Sequence, residues 1–291
     1  RFAVAASPDS FNSQIGVPLS IFTVNSSHSI ALIEAASSKP GEMAALEKII
    51  RPDCGIVTHF GKKHLHTMGD EATIVREILI LFRNLPSSSW LIAPENHPSQ
   101  SCPAQIIPWS KPAPNLPHAK ALSSLSKPNS LYEVSFPELL PYTSTIPSEQ
   151  HYFLDLINFA AKAAWLLGAK REDIVGILES FVPEPSRTEI WQSSLGATFI
   201  NDSSCSDPLS IDISLGNLLQ SSSKGRSIFV FSGLRAQNGP AELNYRRVGQ
   251  ALRRYPVSKL YLVGSHPFQP LIDELQNMPI ETTQCTDYEE A

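Results

Sequence analysis

Cysteine and charge are both scarce in this sequence. Only 4 of the 291 residues are cysteine, none of them in a CxxC pair, and only 18% are charged. Four scattered cysteines in a chain of this length argue against a disulfide framework and favour reduced thiols in a cytoplasmic protein. A net charge of −5 and a pI near 5.9 give no general attraction to nucleic acid or to an anionic membrane surface.

Long apolar runs and several familiar catalytic motifs are missing as well. No run reaches the roughly 18–20 residues that a membrane-spanning helix needs. The sequence contains no GxxxxGKS or GxxxxGKT phosphate loop, no GxSxG, no HExxH and no EF-hand loop. It begins at Arg1 without a methionine or a secretory apolar segment, so we expect a processed or truncated start.

The first half of the sequence alternates between short apolar runs and stretches with helical periodicity. The predicted strands are 2–6, 30–33, 54–58 and 90–93, and the predicted helices are 43–50 and 72–84. Pro40-Gly41-Glu42 marks the start of the first of these helices, with an acidic residue suited to its dipole. This alternation predicts an α/β fold with a mostly parallel sheet.

The amino-acid composition of the sequence changes after residue 94. Residues 94–147 are rich in proline and serine, and we predict long loops with peripheral strands at 109–110 and 131–136; a partly disordered linker is the alternative. Helices at 152–167 and 170–181 follow. A second α/β unit is then predicted, with strands at 198–200, 228–231 and 260–263 and helices at 209–219 and 243–255. Pro183-Glu184-Pro185-Ser186 marks the predicted boundary between a domain of residues 1–186 and one of residues 187–291.

Two residues in the first half are candidates for a metal site. Glu34 follows a predicted buried strand, at the sheet edge where α/β folds place ligands, and a carboxylate there suits Mg²⁺. His64 follows the next strand and would lie beside Glu34. The alternatives are a solvated acid at Glu34 and ordinary polar loop residues at His59, His64 and His66; a zinc hydrolase site at these histidines is a further alternative, without a thiol or acid to complete it.

The second half offers a turn suited to an anion or a nucleotide. Arg187 follows the proline-rich boundary, and Asp202 lies in a polar turn between a predicted strand and helix. The alternative is a simple helix N-cap by Asp207 or Ser206, with Pro208 at the first helical position.

Several sequence blocks occur in the order found in one enzyme family. They begin at Phe11-Asn12-Ser13-Gln14-Ile15-Gly16-Val17-Pro18-Leu19, Glu34-Ala35-Ala36-Ser37-Ser38-Lys39-Pro40-Gly41-Glu42 and Thr58-His59-Phe60-Gly61-Lys62-Lys63-His64. The order resembles that of the Mur ligases of peptidoglycan synthesis, and within them the branch that adds D-alanyl-D-alanine, in the form found fused to alanine racemase. Matching positions are Asn12, Gly16, Pro18, Leu19, Glu34, Pro40, Gly41, Glu42, Arg51, Pro52, Thr58, Gly61, His64, Arg187, Asp202, Pro208 and Ser210.

This resemblance implies a fold, a reaction and a set of site residues. The fold would be a central ATPase-like domain, without its phosphate-loop segment, followed by a Rossmann-like C-terminal domain. The reaction would be ATP-dependent amide-bond formation through an acyl phosphate, joining D-alanyl-D-alanine to a UDP-linked muramoyl tripeptide. The resemblance assigns Glu34 and His64 to Mg²⁺ and to catalysis. It assigns ATP to Gln150, Arg187, Asp202, Asp207 and Ser210, and the muramoyl substrate to Asn12, Ser13 and Gln14.

Some positions depart from the family pattern. Ile78 stands where the family has a modified lysine, His59 where it has an asparagine, and Ser204-Cys205 where it has Tyr-Asn. The sequence also lacks the phosphate loop, the UDP-binding domain and the last strands of the C-terminal domain. Two hypotheses follow: a fragment or relative of such a ligase, active in a longer parent chain, or a catalytically inactive ligase-like binding or structural subunit. Whether this chain is itself an enzyme is left open by the sequence.

Overall fold

The computed structural model describes the chain in twelve stretches. These are residues 2–60, 65–95, 102–113, 115–122, 130–137, 139–146, 151–181, 185–187, 189–204, 207–221, 225–234 and 240–290. The chain divides into two compact units. The first comprises Arg1–Lys120, Glu133–Ser144 and Tyr152–Ile177, and the second comprises Ala121–Tyr132, Thr145–His151 and Leu178–Ala291. This division does not test the predicted boundary at residue 186, which stays a prediction.

Both units contain helices and strands. The helices are α1 (Gly16–Phe22), α2 (Glu42–Ile50), α3 (Leu65–Met68), α4 (Glu71–Ile80), α5 (His151–Leu166), α6 (Arg171–Ser180), α7 (Pro208–Ser221), α8 (Ala241–Leu252) and α9 (Gln269–Glu274). The strands are β1 (Val4–Ala6), β2 (Ile30–Leu32), β3 (Gly55–Ile56), β4 (Trp90–Ala93), β5 (Gln105–Pro108), β6 (His118–Ala121), β7 (Ser130–Phe136), β8 (Leu139–Ile146), β9 (Glu189–Gln192), β10 (Thr198–Asn201), β11 (Ile228–Phe231), β12 (Lys259–Val263) and β13 (Glu281–Cys285). None of the described helices is both long and apolar enough to cross a membrane.

The first unit contains two parallel sheets. β1 pairs with β2, with Val4 opposite Ile30, and β3, β4 and β5 form a second sheet in sequence order. Leu91 and Ala93 of β4 have no exposed surface and pack with Leu46 of α2 and Val17 of α1 in one hydrophobic cluster. Because parallel strands are covered on both faces, such apolar runs are typical of their sequences.

Local sequence explains where the two central helices of this unit begin. Gly41 precedes α2 with φ of 90°, a left-handed conformation that costs glycine little. Asp70 caps α4 by accepting a hydrogen bond from the Thr73 backbone N–H at 2.6 Å. Glu77 of α4 is buried and accepts from the Met43 backbone N–H at 2.8 Å, so α4 satisfies a donor in the first turn of α2.

The proline- and serine-rich stretch carries more regular structure than its sequence indicates. Its described residues include β5, β6, β7 and β8, and the last three form one sheet in sequence order. The strand predicted at 131–136 is confirmed within β7, but the one predicted at 109–110 is wrong, because the strand lies at Gln105–Pro108. Pairing with β4, a contact distant in sequence, fixes that strand.

The second unit has its own sheet and core. β9 and β10 form an antiparallel hairpin, and β11, β12 and β13 form a parallel sheet in sequence order. Leu260 and Leu262 of β12 are fully buried and pack with Val248 of α8 and Leu215 of α7. The predicted α/β fold with mostly parallel strands is therefore confirmed.

Candidate functional site

The carboxyl ends of β1 and β2 meet at the predicted metal site. Pairing continues past both strands, with the Ser7 N–H donating to the Leu32 carbonyl at 3.0 Å. The Glu34 backbone N–H then donates to Ser7 Oγ at 3.0 Å. These two hydrogen bonds fix the backbone at Glu34, at the edge of the parallel strand pair.

Asn12 contacts Glu34 directly, although 22 residues separate them. The Asn12 side-chain amide donates to Glu34 Oε1 at 2.7 Å, and the Asn12 carbonyl accepts from the Ala36 N–H at 2.9 Å. Asn12 therefore holds both the carboxylate and the turn that follows it. Glu34 is exposed, and none of the described residues donates a hydrogen bond to its Oε2. One carboxylate oxygen is thus positioned to face solvent or a ligand.

The other two predicted substrate residues differ in what they contact. Ser13 starts α1, because its Oγ accepts from the Gly16 N–H at 3.3 Å and its carbonyl accepts from the Val17 N–H at 2.9 Å. The side-chain nitrogen of Gln14 is buried and makes no hydrogen bond to the described residues. Ser13 therefore has a structural role, whereas Gln14 retains an unused donor.

Glu42 closes the loop that follows Glu34. Its Oε2 accepts from the Ser38 N–H at 2.7 Å, from Ser38 Oγ at 3.0 Å and from the Lys39 N–H at 3.3 Å. Burial acts to raise the pKa of Glu42, but the hydrogen bonds from Ser38 and Lys39 together hold that pKa below its usual value. Glu42 shapes the loop beside the site.

A single carboxylate fits one part of a magnesium site. Mg²⁺ commonly takes one or two protein carboxylates, with waters and phosphate oxygens completing its shell. Glu34 supplies one such oxygen ligand. His64 and Gln150 lie outside the described residues, and no group of three His, Cys, Asp or Glu side chains able to hold a metal occurs within the described ranges.

Three of the predicted nucleotide-binding residues, Asp202, Asp207 and Ser210, make hydrogen bonds within the second unit. Asp207 caps α7, with one oxygen accepting from the Ser210 N–H at 3.2 Å and the other from Ser210 Oγ at 2.6 Å. Asp202 accepts a hydrogen bond from the Ser214 hydroxyl, which ties the turn after β10 to α7. This arrangement has the geometry of the N-cap alternative for Asp207. Arg187 is exposed.

The roles of two buried or half-buried residues of the first unit were not predicted from the sequence. Ser7 directly follows β1, and its position at a strand end was the available signal. Lys162 is fully buried, and its ammonium donates to the carbonyls of Pro108, Trp109 and Lys111 at 3.1, 2.8 and 2.7 Å. A single lysine in the run Ala160-Ala161-Lys162-Ala163-Ala164 was the signal for such a role.

Comparisons with known proteins agree with this architecture. Residues 2–110 match the Mur ligase middle domain. A UDP-N-acetylmuramoyl-tripeptide–D-alanyl-D-alanine ligase from Treponema pallidum is 31% identical over 96 residues, which cover 33% of this chain and 21% of that protein. The ligase of the same name from Mycobacterium bovis is 24% identical over 274 residues, covering 90% of this chain and 53% of that protein.

Solved structures show the same fold. The crystal structure of MurF ligase from Thermotoga maritima in complex with ADP superposes with a TM-score of 0.76 at 20% identity, covering 100% of this chain and 66% of that one. The chain spans about half the length of the Mycobacterium bovis relative. The chain therefore has the fold of the solved Mur ligase structures, and its residues 2–110 match the Mur ligase middle domain.

Proposed function

We propose that this chain is part of an ATP-dependent ligase that joins D-alanyl-D-alanine to a UDP-linked muramoyl tripeptide. The carrying observation is the hydrogen bond between Asn12 and Glu34 at the carboxyl ends of a parallel strand pair. The names of the matched relatives supply the substrates. In such a reaction the tripeptide carboxylate displaces ADP from the γ-phosphorus of ATP, and the amine of the dipeptide then displaces phosphate from the acyl phosphate.

The residues of this chain would contribute the metal side of that site. Glu34 would offer one oxygen to magnesium, which when bound would offset negative charge on phosphate oxygens. Asn12 orients the carboxylate by holding its other oxygen, and Ser7 fixes the backbone of Glu34. His64 as a second ligand remains part of the proposal, as do Gln150, Arg187, Asp202, Asp207 and Ser210 on the nucleotide side.

The phosphates of ATP have no recognisable binding loop in this sequence. The sequence has no phosphate loop, and Asp207 and Ser210 bond each other at the start of α7. A ligase built around this chain therefore needs phosphate donors from polypeptide outside residues 1–291.

A second candidate function is a ligase-like subunit without catalysis. Ile78, at the position of the family's modified lysine, packs against the hydrophobic cluster of the first unit. An aliphatic side chain held in that way cannot carry a carbamate or bind a metal.

Phosphate release distinguishes the two candidates. We expect residues 1–291 alone to release no phosphate from ATP with muramoyl tripeptide and D-alanyl-D-alanine, and the natural polypeptide that contains them to release it. Glu34→Gln, which keeps the shape of the side chain, should lower that rate by about 100-fold or more. Glu172→Gln, at an exposed glutamate on α6, is the matched control. A folded natural polypeptide without turnover would support the non-catalytic subunit.

A further inference from the structure

A polar cavity lies at the carboxyl end of helix α2. Its volume is about 360 Å³, within the roughly 300–1,000 Å³ typical of small-molecule sites. Helix α2 begins at Glu42, which closes the loop after Glu34, and its nine residues span about 13 Å at 1.5 Å per residue. The cavity therefore lies at the other end of this helix from the candidate metal site. We call it the α2 cavity, and it is lined by Glu47, Arg51, Pro52, Asp53, Asn84 and Pro86.

Arg51 brings a positive charge to the α2 cavity. It ends α2 in a left-handed conformation, with φ of 46° and ψ of 64°, where glycine is the common residue because a side chain is strained there. Its backbone N–H donates to the Glu47 carbonyl at 2.9 Å, and its Nε donates to the Lys48 carbonyl at 3.3 Å. Neither Nη group makes a hydrogen bond to the described residues. Both Nη groups of a guanidinium that is held at Nε thus remain for the carboxylate of a ligand.

Two hydrogen-bond acceptors line the same cavity. Asp53 is exposed, and its carboxylate makes no hydrogen bond or ion pair with the described residues. The Asn84 side-chain nitrogen donates to Glu47 Oε1 at 2.8 Å, which leaves the Asn84 amide oxygen without a donor among the described residues. Arg83 pairs with Glu47 Oε2 at 3.1 Å, so the charge of Glu47 is already offset. Asp53 and Asn84 therefore offer oxygens to an ammonium group, which the negative end of the α2 dipole also favours.

The walls of the α2 cavity are held in place by the protein itself. The Ser89 hydroxyl donates to the Asp53 carbonyl, and the Ser89 N–H donates to the Pro86 carbonyl at 3.0 Å. The rings of Pro52 and Pro86 fix the φ angles of both residues. A site whose walls are already ordered loses little conformational entropy when a ligand binds.

We propose that the α2 cavity binds a small zwitterion, either a free amino acid or a short peptide. Its carboxylate contacts Arg51, and its ammonium group contacts Asp53 and Asn84. A simple anion would be repelled by Asp53 and a simple cation by Arg51, so the lining favours a ligand that carries both charges. This binding site is separate from the proposed ligase reaction and stands whether or not the protein is catalytically active.

Calorimetric titration of the natural polypeptide that contains residues 1–291 tests the proposal. The probe is L-alanyl-L-alanine, compared with L-alanyl-L-alaninamide, which lacks the carboxylate, and N-acetyl-L-alanyl-L-alanine, which lacks the ammonium group. We expect the dipeptide to bind at least about tenfold more tightly than either blocked form, since each blocked form loses one charged contact. L-alanine is titrated in parallel, and the tighter of the two zwitterions shows whether the cavity takes free amino acids or short peptides.

Substitutions in the lining locate the binding. Arg51→Gln and Asp53→Asn should each weaken the binding of the zwitterion by about tenfold or more. Lys48→Gln removes a positive charge from an exposed neighbour that does not line the cavity, and it should leave the affinity unchanged. Equal affinity for the blocked forms, affinity that survives both lining substitutions, or no binding at about 10 mM ligand would overturn the proposal.

Discussion

At the scale of single residues, Lys162 shows how a buried charge can serve the fold. Its three hydrogen bonds go to backbone carbonyls of residues 108, 109 and 111, at the end of β5 and in the turn that follows. The ammonium supplies a donor to each of these three carbonyls at one point. Lys162 therefore joins α5 to the end of β5.

Replacing Lys162 tests this role. We expect Lys162→Met, which keeps the length of the side chain, to lower the free energy of unfolding by about 1–3 kcal/mol, because carbonyls at the turn lose their donors. Lys170→Met, at an exposed lysine, should change it by less than about 0.5 kcal/mol. Urea unfolding followed by circular dichroism measures both. Equal stability of the two variants would show that the carbonyls find other partners.

The same residue predicts a dependence of stability on pH. Burial lowers the pKa of Lys162 from 10.5 to about 8. Between these values the unfolded chain binds more protons at this site than the folded chain, so the contribution of Lys162 to the free energy of unfolding should rise as pH increases from 8 to 10.5. The difference between wild type and Lys162→Met, measured by urea unfolding across this range, isolates that contribution. A difference that stays constant with pH would contradict the shift.

Residue types alone placed only part of the candidate site. The strand-end position drew attention to Glu34, because the carboxyl ends of parallel strands collect ligands. Asn12 was assigned to the site by resemblance to a family, because nothing in its local sequence predicts a contact with Glu34, 22 residues later. The partners of Ser7 and Lys162 required the folded chain, because their bonds join residues distant in sequence.

At the scale of elements, α1 depends on a close approach of backbone. A Cβ added at Gly16 would lie 2.6 Å from the backbone carbons of Phe11, so only glycine allows this contact. Gly176 in α6 has nothing within 4 Å of such an atom. The environments of Gly16 and Gly176 therefore differ, and the sequence alone does not distinguish them.

Alanine substitutions should separate these two glycines. Gly16→Ala should destabilise the chain by about 1–3 kcal/mol, since backbone must shift to admit the methyl group. Gly176→Ala should stabilise it by about 0.5–1 kcal/mol, because alanine is the better helix former. Thermal unfolding of both variants at one pH measures the two signs. A stabilising effect of Gly16→Ala would show that the backbone at Phe11 shifts at little cost in free energy.

Periodic elements were predicted well and short ones poorly. The predicted helix at 43–50 is confirmed as α2 and the predicted strand at 90–93 as β4. The elements α1, α9 and β13 were not predicted. α1 is only seven residues long, and without a charged residue it has no clear amphipathic period to detect.

At the scale of the whole molecule, each unit has a core of its own. Leu91 belongs to the hydrophobic cluster of the first unit and Leu260 to that of the second, and both are fully buried. Separate cores allow the units to unfold in separate steps.

Calorimetry of single core variants tests this separation. Leu91→Ala should lower the melting temperature of one transition and Leu260→Ala that of the other, each cavity costing about 2–5 kcal/mol in its own unit. An exposed leucine in each unit supplies a control, Leu32→Ala in the first unit and Leu195→Ala in the second. A single transition lowered equally by both core variants would show instead that the units unfold together.

The amino-acid sequence was sufficient to predict the α/β class, the periodic helices and buried strands, and the order of blocks that resembles the Mur ligases. These properties are local, or depend on the order of blocks, and so can be read along one chain. Tertiary structure alone decided that Asn12 holds Glu34, that Lys162 serves three carbonyls and that one side of α1 lies uncovered. Each of these depends on which distant residues meet, and hydrogen bonding and burial act between neighbours in space.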